Sequence, residues 1–245
     1  MIKKLTLIIG FIICLSSCGK DYVYRIEGEL SNLEDQTVYA VFEKDNYKVV
    51  DTVACTKPGQ FQIDQNEAGF HCVTIFFADK EHWVTAYLEP GETVKITGDA
   101  NSPLLLQVKG GRTNDKLAAF KKKIAPLLTE LTNLSNSLNS KDLNDTIEET
   151  DIAARLANVN MQLSEEAIRY VKENPNEEAS VVLIQSFFSD PDDTRKIDEL
   201  LALLNPRLKD FYLVKELEQY SARAKRTALG AVSYTHLTLP TTSRV

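Results

Sequence analysis

The hydrophobic period of the chain changes once, at Gly110-Gly111, and this change constrains the fold more than any other feature. Before it, short runs such as Val94-Lys95-Ile96 alternate apolar and polar residues, which places the apolar ones on one face of a strand. After it, apolar residues recur every three or four positions, the period of an amphipathic helix. The sequence therefore predicts an α+β protein, with an N-terminal antiparallel β-sandwich over 18–111 and an all-helical segment over 112–231.

The first part contains strand-like runs that are separated by turn residues. Lys57-Pro58-Gly59 and Glu89-Pro90-Gly91 are two of these turns. Short strands at this regular spacing are typical of a sandwich or a partial barrel. The run Cys72–Phe77 is more continuously apolar, which predicts a central strand or a bulge. The predicted strands are 24–30, 37–42, 48–53, 60–63, 72–77, 83–88 and 93–97.

The second part carries helical stripes. The two longest, from Leu117 to Leu138 and from Ile152 to Val171, predict a helical hairpin. Thr113-Asn114-Asp115 is expected to cap the first helix, and Pro126 is expected to kink it. Shorter helices are predicted to follow, with Gly230 as the stop signal of the last one. Their expected ranges are 177–188, 192–204 and 210–229.

The N-terminus has the layout of a secretory signal peptide. Lys3 and Lys4 form a positive start, and Leu5–Leu15 is an apolar run. A transmembrane helix needs about 20 apolar residues, so this run is too short to span a bilayer. We expect residues 1–17 to be a signal peptide that is removed.

Leu15-Ser16-Ser17-Cys18 resembles a bacterial lipobox. The resemblance implies that Cys18 is acylated and becomes the first mature residue, so that the membrane is a partner through this lipid anchor. Several acyl chains hold a protein stably, because each buried CH₂ contributes about 0.8 kcal/mol. Gly19 beside the anchor implies the cell envelope, at the outer membrane, with the periplasmic and surface faces both open. The alternative is an ordinary signal peptide followed by a chance cysteine.

The acidic charge argues against nucleic acid as a partner. The formal net charge of the 245 residues is −7, and it becomes −9 when Lys3 and Lys4 leave with the signal peptide. Nucleic acids and anionic lipid surfaces attract basic proteins instead. We therefore expect no nucleic-acid partner.

Cys14 leaves with the signal peptide and Cys18 is acylated, so Cys55 and Cys72 are the two unmodified cysteines of the mature chain. In an oxidising compartment they can form a disulfide, or each can be a small buried residue in its strand. Neither lies in a CxxC motif, which weakens a third hypothesis, that the pair itself cycles between thiol and disulfide.

The sequence contains no complete catalytic motif, so no catalytic residue is predicted. His71, His82 and Cys72 are the candidates for a metal site. Adjacent residues of a strand point to opposite faces, so His71 and Cys72 are not expected to bind one ion. We predict neither a metal nor a cofactor.

Aromatic residues of the sandwich offer a different kind of site. Trp83, Tyr87 or Tyr39 can form a platform for a peptide or a glycan, because their rings provide flat amphipathic surfaces. Packing in the core explains the same residues equally well. The sequence leaves both interpretations open.

The order of three short motifs after the lipobox resembles a known arrangement. They are Ile26-Glu27-Gly28, Leu88-Glu89-Pro90-Gly91-Glu92 and Gly110-Gly111-Arg112-Thr113-Asn114-Asp115. The chain is similar over Tyr22–Ala231 to the N-terminal part of lipoproteins from gut-dwelling Bacteroidetes. In that group a domain of unknown function, family 4369, precedes a helical linker and a thioredoxin-like domain.

In that group a helix ending like Lys225–Val232 leads into the thioredoxin-like domain, whose CxxC motif exchanges thiols and disulfides. Here the chain continues as VSYTHLTLPTT, which resembles a translated sequencing adapter. We therefore expect 232–245 to be a non-native tail and give His236 no function.

The resemblance predicts a non-catalytic scaffold of a membrane-anchored envelope thiol-disulfide oxidoreductase, truncated before its thioredoxin-like domain. On that prediction the fragment is not an enzyme, and thiol-disulfide oxidoreductase activity is left open for the full-length protein. The alternative is a lipid-anchored β-sandwich that binds a peptide or glycan, which remains unidentified.

Overall fold

The computed structural model describes residues 23–34, 36–45, 47–77, 82–139, 146–190 and 193–235. The predictions on the signal peptide, Cys18 and His236 lie outside these residues. Within them the α+β prediction is confirmed, because two sheets formed by the N-terminal strands are followed by helices.

The strands lie within two residues of their predicted bounds, and the structure adds one short strand, β8, that the sequence pattern missed. Three residues are too few to show an alternating pattern. The strands are β1 (Tyr24–Ser31), β2 (Thr37–Lys44), β3 (Tyr47–Ala54), β4 (Gln60–Gln65), β5 (Cys72–Phe76), β6 (Trp83–Tyr87), β7 (Thr93–Asp99) and β8 (Gln107–Lys109).

Two four-stranded sheets form the sandwich. Sheet A has the order β4-β1-β7-β8 and sheet B the order β3-β2-β5-β6. The pairs are antiparallel except β1 and β7, which run parallel with Ile26 opposite Val94. The predicted antiparallel β-sandwich is therefore confirmed, with this one pair running parallel. The structure confirms β5 as a central strand, between β2 and β6.

The core between the sheets explains the alternating pattern. Ile26 and Ile96 of sheet A and Phe42 and Ile75 of sheet B are each 0% exposed. Gly28 lies opposite Phe61 of β4, and a Cβ at Gly28 would lie 2.2 Å from the phenyl ring. A larger residue at this position of the first motif would clash with the Phe61 ring, so glycine allows the ring to pack in the core.

The helices form a second core. The hairpin prediction agrees with the contact between α1 and α2, and buried residues of α3 such as Val181 and Ile184 belong to the same core. α1 continues through Pro126, and α5 continues past Gly230, so Gly230 is not the predicted stop. Glycine acts as a helix stop when it adopts the left-handed conformation. In the helical conformation it is tolerated inside a helix, at a cost of about 1 kcal/mol in stability relative to alanine. The helices are α1 (Arg112–Asn139), α2 (Thr146–Glu173), α3 (Glu178–Phe188), α4 (Arg195–Leu201) and α5 (Tyr212–Thr235).

None of the helices in the described part of the chain is both long enough and apolar enough to cross a membrane.

Candidate functional site

The outer face of sheet B, which points away from the sandwich core, brings together most of the predicted site residues. Its side chains form three rows across the four strands. The open row is Thr52, Tyr39, Phe76 and Trp83; the middle row is Val50, Val41, Thr74 and Thr85; the covered row is Lys48, Glu43, Cys72 and Tyr87.

The open row presents aromatic rings to solvent. Trp83 is 54% exposed, and its ring centroid lies 6.0 Å from that of Phe76. Tyr39 is half-buried beside them. Sequence reasoning named Trp83 and Tyr39 but missed Phe76, because only the strand register decides that Phe76 points outward while Phe77 enters the core.

The start of α5 packs over the covered row at Cys72. The ring of Tyr212 stacks on His71 with 4.0 Å between centroids, and its hydroxyl lies close to the Cys72 thiol. The thiol donates to a carboxylate oxygen of Glu43 at 3.7 Å. Tyr87 packs against the helical core. Of the predicted pair Trp83 and Tyr87, the structure therefore presents only Trp83.

Burial keeps the buried thiol and hydroxyl groups of this region protonated. Desolvation by burial, and after it the nearby Glu43 carboxylate, raises the pKa of the Cys72 thiol to about 12. Burial also raises the pKa of Tyr87 and that of Tyr212. All three groups are therefore neutral near pH 7. A nucleophilic or redox-active cysteine needs a lowered pKa, so Cys72 is poorly suited to thiol chemistry.

The structure places the two cysteines at opposite ends of β2. Cys55 N donates to Gln36 O, just before β2, whereas Cys72 pairs with Glu43. Seven strand residues correspond to about 23 Å. A disulfide needs Cα atoms within about 7 Å. Both cysteines are described, no disulfide joins them, and the disulfide hypothesis is corrected to two separately packed thiols.

The histidine candidates do not converge on a metal site. His71 Nε2 lies 3.2 Å from Asp45 Oδ1, while Cys72 bonds to Glu43. Within the described residues, no three His, Cys, Asp or Glu side chains are placed to hold a metal ion.

The second and third short motifs meet where the sandwich joins the helices, a region that we call the junction. Asn114 is 1% exposed. Its Oδ1 accepts from Tyr87 N at 2.9 Å, and its Nδ2 donates to Tyr87 O at 2.7 Å and to Gly110 O at 2.6 Å. The Asn114 side chain thus bridges strand β6 and helix α1.

The start of α1 is capped differently from the prediction. Glu89 Oε1 accepts from Thr113 N at 3.2 Å, and Asp115 Oδ1 accepts from Gly110 N at 3.0 Å. The Thr113 hydroxyl donates to Glu178 of α3 at 3.0 Å. Of the three predicted capping residues, Asp115 bonds locally, Asn114 bonds both locally and to β6, and the Thr113 hydroxyl ties α1 to α3. These bonds join residues far apart in the chain, so local spacing does not reveal them.

Two cavities adjoin these features. One of about 450 Å³ lies at the junction and is lined by charged side chains that include Asp45, Glu178 and Lys215. The other, of about 340 Å³, is an apolar groove between β6, α1 and α3, with Trp83 at its rim. Both volumes lie in the range of ligand sites.

Residues 24–117 match a protein family described as a domain of unknown function, DUF4369. The match runs from β1 into α1 and takes in the open row and the contacts of Asn114 at the junction. No curated protein matches the chain. No solved structure matches it either.

Proposed function

We propose that this chain is the non-catalytic scaffold of a lipid-anchored envelope thiol-disulfide oxidoreductase. The observation that carries the proposal is the junction, where the buried Asn114 side chain holds the edge of the sandwich and the start of α1. A connection of this kind fixes the helices relative to the sandwich, as positioning a further domain requires.

The junction resists opening because its polar groups are buried. Each buried donor or acceptor left without a partner costs about 1–3 kcal/mol. A second tie reinforces it, since Lys121 Nζ of α1 donates to Leu106 O at 2.8 Å. Movement of the helices against the sandwich would break several such bonds together.

The anchor would keep the sandwich close to the membrane. Six residues lead from Cys18 to Tyr24 at the start of β1. Fully extended, they reach at most about 20 Å. An acylated Cys18 would therefore leave the domain little freedom to move away from the bilayer.

The thiol chemistry is assigned to the thioredoxin-like domain that the family resemblance implies, because the pKa of Cys72 is raised rather than lowered. A preparation of residues 18–231 should not reduce insulin above the rate with dithiothreitol alone. Robust turnover by this fragment would contradict the proposal.

Lipidation is tested by labelling cells with an alkyne analogue of palmitate. The wild-type chain should incorporate the label and the Cys18→Ser variant should not. Cys14→Ser, a cysteine within the signal segment, is the matched control and should be labelled like wild type. Equal labelling of the Cys18→Ser variant and wild type would rule out the anchor.

A second candidate function is supported by the open row, whose exposed Trp83 and adjoining Phe76 and Tyr39 suit a glycan or peptide. Trp83 is the single tryptophan of the chain, so its fluorescence reports on this face. Envelope glycans should change the emission of wild type, and Tyr39→Ala should weaken the response. Tyr47→Ala removes an exposed aromatic outside the open row and should not. An unresponsive Trp83 would remove this candidate.

A further inference from the structure

Strand β6 is an edge of sheet B, and one of its sides is paired with β5. Leu88 N donates to His71 O, and His82 O accepts from Phe77 N, just beyond the two ends of β6. In an antiparallel strand, the backbone N–H and C=O groups of alternate residues bond to the same neighbouring strand. The backbone groups of the even-numbered residues of β6 therefore point to β5, and those of the odd-numbered residues point away from the sheet. The outward set is Trp83, Thr85 and Tyr87.

At one end of this edge, the outward backbone groups have hydrogen-bond partners. Asn114 bonds both the N–H and the C=O of Tyr87, as another strand would. No strand among the described residues pairs with the N–H and C=O groups of Thr85 and Trp83. Such an edge is a template for an added strand.

The free edge opens into the apolar groove. Leu117 and Ile124 of α1 and Phe187 of α3 line its walls, and Leu104, at 46% exposure, lies beside its mouth. A strand added to β6 would place alternate side chains against these apolar groups. The groove therefore suits an extended peptide with apolar residues at every second position.

One cation lies in the groove. Lys121 is the charged residue of its lining, and its Nζ donates to Leu106 O. Burial lowers the pKa of Lys121. Among the described residues, no carboxylate forms an ion pair with Lys121, although an ammonium group that is buried is normally paired. A carboxylate supplied by a ligand would complement this charge.

We propose that the groove binds an extended acidic peptide segment, which adds a strand to β6 at Thr85 and Trp83 and places one carboxylate on Lys121. Backbone pairing supplies affinity, apolar side chains fill the groove, and the carboxylate selects the register. This interaction goes beyond the scaffold role and does not depend on it. It also uses the backbone of Thr85 and Trp83 rather than the aromatic side chains of the open row, so its failure would leave the glycan candidate untouched.

The test uses a capped peptide of about six residues, the usual length of a strand, with alternating valine and threonine and one central glutamate. Trp83 fluorescence reports binding to residues 18–231. We expect saturable binding, which becomes at least about tenfold weaker when glutamine replaces the glutamate. N-methylation of the peptide at the nitrogens that face β6 should weaken binding to a similar extent.

Protein variants locate the site. Thr85→Pro removes an outward N–H of β6, whereas Thr52→Pro removes an outward N–H of β3, the opposite edge of the same sheet. Proline is tolerated on strand edges whose N–H faces solvent. Thr85→Pro should weaken binding at least about tenfold and Thr52→Pro should not. Lys121→Met should abolish the preference for the glutamate peptide over the glutamine peptide.

Three results would overturn the proposal. They are the absence of saturable binding, equal binding of the N-methylated peptide, and equal weakening by Thr52→Pro and Thr85→Pro. Circular dichroism establishes that each variant is folded. If Thr85→Pro does not fold, the N-methylated peptide tests the same backbone pairing with the wild-type protein.

Discussion

The open row and the covered row lie on the same face of sheet B, four residues apart along each strand, yet they differ in what contacts them. The covered row lies under Tyr212 at the start of α5, and burial raises the pKa of Cys72 within it. In the part of the chain that the structure describes, no helix packs over Trp83 of the open row, and Trp83 is 54% exposed. Both rows lie on the same strands and point to the same side of the sheet. The difference in their exposure therefore arises from the helices.

The two rows of the sheet therefore contribute differently to stability and to binding. Buried neutral groups such as Cys72 and Tyr87 contribute to stability, because they fill space between two cores. Exposed aromatic rings such as Trp83 contribute little to stability and remain available for binding. Substitutions should separate these two contributions.

The largest effect is expected from uncovering the covered row. Tyr212→Ala removes the ring that stacks on His71 and should lower the free energy of unfolding by about 2–4 kcal/mol. Tyr47→Ala, an exposed tyrosine at 55%, should change it by less than about 1 kcal/mol. Urea denaturation measures both. Equal effects would show that α5 does not stabilise this half of the face.

The next largest loss of stability is expected from a substitution at the junction. Asn114→Ala leaves the N–H and C=O of Tyr87 without their partner and should cost about 2 kcal/mol. Asn133→Ala, at an exposed position of the same helix, is the matched control and should lie within about 0.5 kcal/mol of wild type. A neutral Asn114→Ala variant would show that the bridge is dispensable.

A pH dependence should distinguish the covered row from the open row. The pKa of Cys72 is raised from 9.0 to about 12 on folding, so above pH 9 the unfolded chain loses its thiol proton while the folded chain keeps it. Stability is therefore present below pH 9 and is lost as the pH rises toward 12. Cys72→Ala should make this loss shallower, by at most about 1.4 kcal/mol per pH unit. Identical alkaline slopes would contradict the burial of the thiol.

The smallest effect is expected in the open row. Trp83→Ala should change the free energy of unfolding by less than about 1 kcal/mol, because most of the ring already contacts water. In the wild type, iodide should quench Trp83 nearly as strongly in the folded as in the unfolded protein. A protected Trp83 would mean that the open row is covered as well.

The sequence predicted the parts of the fold that depend on local periodicity. Alternation identified β1 to β7, and the helical period identified α1 to α5, because each pattern is contained in one segment. It did not reveal the parallel pairing of β1 with β7, since register and strand order depend on residues distant in the chain.

The candidate site was less predictable for the same reason. Trp83 was recognised because its residue type suggests a platform, but its exposure depends on where α5 packs. The role of Asn114 was missed because a capping residue and a bridge to a distant strand have the same local sequence. Long-range contacts therefore decide which residues of the motifs connect the sandwich to the helices.

The most direct test of the scaffold proposal is to sequence the reading frame beyond Ala231 from the source locus, with a library chemistry that uses different adapters. If the chain is this scaffold, the tail VSYTHLTLPTT will be replaced there by a continuation that encodes a thioredoxin-like domain with a CxxC motif. A stop codon directly after Ala231 would contradict the scaffold proposal and favour the binding module.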